Sequence, residues 1–158
     1  MIRRAGVLCF IGFLLCTLLL YRREERRRLS ELQGLLRLLT HLCDTLAVAP
    51  LPLSEIYAAF RDDALMRCGF LRVLRNEGLA AALEAGVLRL PDEELFSLRE
   101  YAVSLGSRPY VEEKKKTEEI RRRLITLLAE REKTSLTRTK LVGTLFFSGG
   151  MLLLLLLL

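Results

Sequence analysis

The chain has 158 residues, 51% of them hydrophobic and 28% charged, with a formal net charge of +6 and a mean hydropathy of +0.27. That length sets one domain as the prior, and the composition is too apolar for a disordered chain and too charged for a multi-span transporter. One histidine, no tryptophan and four cysteines without a C-x-x-C pair exclude zinc fingers, zinc hydrolases, a disulfide framework and most histidine-based acid–base enzymes.

The apolar residues concentrate at the two ends. Residues 5–21 carry no charge and lie between Arg3/Arg4 and Arg22/Arg23, which is short but sufficient for one bilayer crossing. A secretory signal peptide has the same basic start and apolar centre but ends in small residues at its cleavage site. This run ends in Leu18, Leu19, Leu20 and Tyr21, so an uncleaved anchor is expected. Ala5, Cys9, Gly12 and Cys16 share one helical face and would admit another membrane helix closely; the same short side chains would serve equally as lipid contacts.

Between the ends, Leu29, Leu32, Leu36, Leu39, Cys43 and Leu46 recur at three- and four-residue spacing, widened by Leu35, Leu38 and Leu42. That periodicity predicts a long helix with one buried stripe, weakest at Gly34 and stopped near Val48 by Pro50 and Pro52. His41, with no nucleophile or metal ligand beside it, reads as a surface or hydrogen-bonded histidine. Ser54 is the expected cap of a helix carrying Ile56, Ala59, Phe60, Ala64 and Cys68 and closed by Gly69. Short helices follow over 70–75 and 79–85, punctuated by Gly78 and Gly86.

Asp92 is expected to cap a helix whose stripe is Leu95, Leu98, Ala102 and Leu105, with Gly106 just past its end. Asp92, Glu93 and Glu94 have the makings of a metal or paired-carboxylate site, but acids in a first helical turn are what the helix dipole favours. From Pro109 no breaker intervenes before Gly143. Ile120, Leu124, Leu127 and Leu128 form the stripe of this last helix, with acid-first pairs Glu112–Lys116, Glu118–Arg122 and Glu119–Arg123. Lys114–Lys116 and Arg121–Arg123 have interleaved acids, which marks a solvated face rather than a phosphate site.

Residues 141–158 form the second uncharged run, roughly 27 Å as a helix against a hydrocarbon layer of about 30 Å. Gly143, Thr144, Ser148 and Gly149 give it a small-residue face. Two crossings place both termini on one side. Arg22, Arg23, Arg26, Arg27 and Arg28 at one edge of the middle segment, with Arg138 and Lys140 at the other, assign that segment to the cytoplasm. The expected architecture is therefore all-α: an antiparallel bundle of two long helices with short helices between, over 22–140, flanked by transmembrane helices over 1–21 and 141–158. No phosphate loop, dinucleotide fingerprint, nucleophile elbow or zinc-protease motif occurs. No catalytic residue, cofactor, metal, small-molecule substrate or nucleic acid is expected, and a membrane is.

The order of features is similar to that of the stage III sporulation protein AB family. The resemblance runs over nearly the whole chain and is carried by the Pro50–Glu55 start, by Leu95–Gly106 (LFSLREYAVSLG) and by the closing span from Leu141-Val142-Gly143. The family has an Asp and then a Gln shortly after that Leu-Gly; here Arg108, Pro109 and Glu113 stand there. The resemblance implies a non-enzymatic scaffold of the channel linking mother cell and forespore, similar to the cytoplasmic helical domains of the type II secretion platform protein. By that analogy it sits in the mother-cell side of the outer forespore membrane among other channel subunits and a secretion-type ATPase. Asp92, Glu93, Glu94, Arg121, Arg122 and Arg123 are the candidate partner surface. The rival readings are a membrane-bound enzyme using His41, Cys43 and residues 92–94, and a basic anchor binding nucleic acid through Arg22–Arg28.

Overall fold

In a computed structural model, the backbone is described for residues 2–48 and 51–157. Side chains are described from residue 12 to residue 149, apart from 14, 49, 50, 136, 138, 139 and 145–147. Seven α-helices account for the regular structure, with no strand among the described residues: α1 (Ile2–Val48), α2 (Leu53–Ala59), α3 (Asp63–Arg67), α4 (Phe70–Glu77), α5 (Leu79–Glu84), α6 (Asp92–Ser104) and α7 (Tyr110–Leu157). The backbone separates into two compact units, one of residues 27–130 and the other of residues 1–26 with 131–158.

In the 27–130 unit the core forms around the leucine stripe of α1. Leu32, Leu35, Leu38, Leu39, Leu42, Cys43 and Leu46 are buried, whereas Leu36 is only partly so. The buried face is thus centred on Leu35 and Leu42, one position off the expected Leu36. Phe60, Leu65, Phe70, Leu74, Leu83, Leu98, Ile120 and Leu124 close over it. The last turns of α1 meet the first turns of α7 at Cys43, whose thiol faces Glu118 and Arg121. Start of one long helix and end of the other also belong together in the second unit.

Two expectations about caps are corrected. Ser54 is not a cap: Pro52 precedes α2, and its carbonyl accepts from the Glu55 and Ile56 amides. The helix expected to run to Cys68 instead stops at Ala59, because Phe60 is extended and turns its ring into the core. Asp62 then starts α3, its Oδ1 accepting from the Ala64 and Leu65 amides at 3.0 and 3.1 Å. Its Oδ2 accepts from Arg37 on α1 at 2.9 Å, so one buried carboxylate both caps α3 and fastens it to α1. Likewise Asp92 is the first helical residue of α6 rather than its cap, which is Pro91. Gly106, at φ +84, stands in the left-handed region just after α6 that a side chain would strain.

Among the described residues no helix is long and apolar enough to cross a membrane. Much of the two apolar runs lies outside the described side chains, Ala5 and Cys9 included, as does the side chain of Arg138.

Candidate interaction surface

The expected ladder on α7 is present and denser than the sequence implied. Glu118 accepts from Arg121 through both carboxylate oxygens, at 2.7 and 2.9 Å, and from Arg122 at 3.3 Å. Glu119 accepts from Lys116 at 2.8 Å and from Arg123 at 2.6 Å. Lys116 therefore pairs forward with Glu119, where the spacing had suggested Glu112. The hydrogen bonds from Arg121 to Glu118 and from Lys116 to Glu119 hold both carboxyls below the usual range, and the Glu118 bond raises Arg121. Arg121 is half-buried against α1, while Arg122 and Arg123 face solvent. Each of the three arginines thus has a carboxylate partner, two acids being shared among four cations.

The acidic turn divides. Asp92 and Glu93 are exposed, and Glu94 is half-buried and engaged. Asp92 accepts from Arg99 at 2.8 Å, seven residues on, and Arg99 also reaches the Leu83 carbonyl at 3.3 Å. At 100° per residue, Asp92, Glu93, Phe96, Glu100 and Val103 share the outward face of α6. Phe96 is 69% and Val103 72% exposed. This acidic face with two large apolar side chains is what the sequence reading missed. The signal was available, since Phe96 and Val103 are seven apart and fall off the face of Leu95, Leu98 and Ala102.

Other polar groups are turned inward. Glu113, Thr117, Ile120 and Leu124 form one buried line on α7, so its inner face begins with polar residues. The Tyr101 hydroxyl and Thr117 Oγ1 are 2.6 Å apart, and Thr117 donates to the Glu113 carbonyl at 2.7 Å. Glu113 Oε2 accepts from the Gly106 amide at 3.3 Å, which ties the start of α7 to the turn after α6. Burial, with Glu113 nearby, raises Tyr101 and pushes Tyr57 up to about 12. Arg108, also singled out from the sequence, lies half-buried in that turn.

The residues of the enzyme reading stand in different surroundings. Cys43 is buried, and burial followed by the Glu118 charge pushes its thiol up to about 11, the reverse of an activated nucleophile. His41 stacks against Phe60 at 5.6 Å. Asp92, from the 92–94 turn, pairs with Arg99 on its own helix. At the chain ends Arg22, Arg23, Arg26, Arg27 and Lys140 are exposed and Arg28 is half-buried. Gly12, Cys16, Thr144, Ser148 and Gly149 are also exposed, and Gly143 is half-buried. Gly12, Gly143 and Gly149 have open space where a Cβ would stand.

No protein-family model, no curated protein and no solved structure matches this chain.

Proposed function

We propose that the protein is a membrane-anchored, non-enzymatic scaffold of the mother cell–forespore channel of an endospore-forming cell. In this reading residues 5–21 and 141–158 anchor it in the membrane, on the mother-cell side of the outer forespore membrane. The helical unit between them stands in the cytoplasm as an antiparallel bundle and contacts other channel subunits, the secretion-type ATPase among them. The resemblance to the stage III sporulation protein AB family supplies the setting.

The observation that supports a contact role is the outward face of α6. Two large apolar side chains in water among Asp92, Glu93 and Glu100 cost free energy that a partner surface would recover. The partner face implied is a basic helix with an apolar stripe. Because Phe96 and Val103 are exposed, the double variant Phe96→Asp, Val103→Asp is expected to fold with stability within about 0.5–1 kcal/mol of the parent chain. In sporulating cells it should lose co-purification with its membrane partners and should cut spore yield by orders of magnitude. A normal spore yield from that variant would reject this surface. A His41→Ala, Cys43→Ala variant that still sporulates is the outcome a scaffold gives and an enzyme built on those residues does not.

A further inference from the structure

Two sets of basic residues have opposite fates. On α7, Lys116, Arg121, Arg122 and Arg123 are each held by Glu118 or Glu119 at 3.3 Å or less. In the unit built from residues 1–26 and 131–158, Arg22, Arg23, Arg26, Lys133 and Lys140 are exposed, and no salt bridge among the described residues takes any of them. The acids in the same stretches do not offset them fully: Glu24 and Glu132 have contacts of their own, and Glu24 and Glu25 are half-buried.

Position gives these free cations a chemistry. Arg22 follows the last residue of the first apolar run, and Lys140 precedes the first residue of the second. At 1.5 Å per residue, Arg22 to Arg26 covers about 6 Å of helix and Lys133 to Lys140 about 10 Å. A headgroup layer, taken as half the difference between whole-bilayer and hydrocarbon thickness, is about 5–8 Å deep. A guanidinium or ammonium at that depth meets phosphodiesters, and the long Lys133 side chain, whose backbone stands a few ångströms beyond the layer, reaches back to it. Residues 22–28 and 131–140 contain no aromatic side chain on which a base could stack, which disfavours a single-stranded nucleic acid as the occupant.

We propose that Arg22, Arg23, Arg26, Lys133 and Lys140 form a belt that selects anionic phospholipids from the surrounding leaflet. The proposal rests on the reading that residues 5–21 and 141–158 lie in the bilayer. Each cation near an anionic surface is worth about fivefold in local partition at low salt, so five of them produce a shell distinct from the bulk lipid. Arg121, Arg122 and Arg123 contribute less to it, because each already holds a carboxylate.

The test uses the full chain reconstituted into phosphatidylcholine vesicles, alone or mixed with phosphatidylglycerol. Alkaline-carbonate flotation reports insertion; polymer-excised discs then report the lipid retained around the protein. The expected result is insertion into both vesicle types and a severalfold excess of phosphatidylglycerol over the bulk ratio. That excess should be lost at high salt and in the Arg22→Gln, Arg23→Gln, Arg26→Gln, Lys133→Gln, Lys140→Gln variant. An Arg122→Gln, Arg123→Gln variant should keep it. Insertion with no excess, or with an excess equal in the five-site variant, overturns the belt and leaves the membrane reading standing. Attachment only to phosphatidylglycerol vesicles, stripped by carbonate but still lost in the five-site variant, keeps the belt and overturns the spans. Binding to neither vesicle overturns both. Inorganic phosphate or duplex DNA that removes the excess at constant ionic strength assigns the cations to that ligand instead and overturns lipid selection.

Discussion

Gly34 shows how a single residue can carry a meaning opposite to its propensity. As a glycine inside α1 it lowers helix stability by about 1 kcal/mol relative to alanine, and from sequence it reads only as a weak point. In the folded chain a Cβ there would stand 2.8 Å from Leu65 Cγ and 2.9 Å from Asp62 Oδ1. Leu65 is fully buried, and Asp62 is held by two amides and Arg37, so neither can withdraw cheaply. Overpacking of this kind costs about 1–3 kcal/mol. Gly34→Ala is therefore expected to destabilise the protein by about 1 kcal/mol net, read as a lower melting temperature in detergent. A melting temperature at or above that of the parent chain would mean that α3 does not pack onto α1 at this point. Glycine here is the contact surface for a neighbouring helix.

At the scale of elements, the inner faces carry both the hydrophobic stability and an alkaline limit. Leu35 is 1% exposed and Leu36 only partly buried. Leu35→Ala should cost about 2–5 kcal/mol and Leu36→Ala about half of that or less, an order that denaturant melts of the two variants will check. The pH limit follows from Cys43 and Tyr57, raised to about 11 and about 12 from ordinary values of 9.0 and 10.0. A raised acid stabilises the fold fully while it is protonated in both states, below its unfolded value. That stability is lost as pH rises through the folded value. Melting temperature should hold up to about pH 9 and fall between there and about pH 12, and Tyr57→Phe should flatten the upper part of the fall.

The same elements show what the sequence could and could not convey. The stripe on α1 was legible because three- and four-residue spacing has one cause, a face turned from water. Its centre was misplaced by one position because a strict heptad drifts around a straight helix with 3.6 residues per turn. The break at Phe60 had one local sign, Asp62, a residue suited to start a helix; a contact distant in sequence, Asp62 with Arg37, fixes it there. Glu113 was noticed only as a departure from a family pattern. Its burial depends on the Gly106 amide, which no local spacing announces. The ladder of α7 was readable as spacing, and only side-chain rotamers settled that Lys116 turns to Glu119. For the candidate surface, the acids at 92–94 were legible at once, and Phe96 and Val103 only through their place off the Leu95, Leu98 and Ala102 stripe, since an exposed Phe taken singly looks like another core residue.

For the whole molecule the decisive quantity is the number of crossings. If residues 5–21 and 141–158 both cross, both termini lie on one side and the segment between the runs lies on the other. Arg22, Arg23, Arg26, Arg27 and Arg28 then select the side, because basic residues next to a span are retained in the cytoplasm. The N-terminal tail offers only Arg3 and Arg4 against them. Single-cysteine chains with Ile2→Cys or Lys115→Cys, in a background where Cys9, Cys16, Cys43 and Cys68 are replaced, separate the possibilities with a membrane-impermeant maleimide. Lys115 is exposed on α7, so a cysteine there that resists labelling reports the side of the membrane and not burial. In intact cells position 2 should label and position 115 should not, and lysis should make position 115 fully reactive. Labelling of position 115 alone would put the bundle outside the cytoplasm, where a cytoplasmic ATPase could not reach it. Labelling of neither or of both in intact cells would put the two positions on one side and overturn the assignment of residues 5–21 as a span.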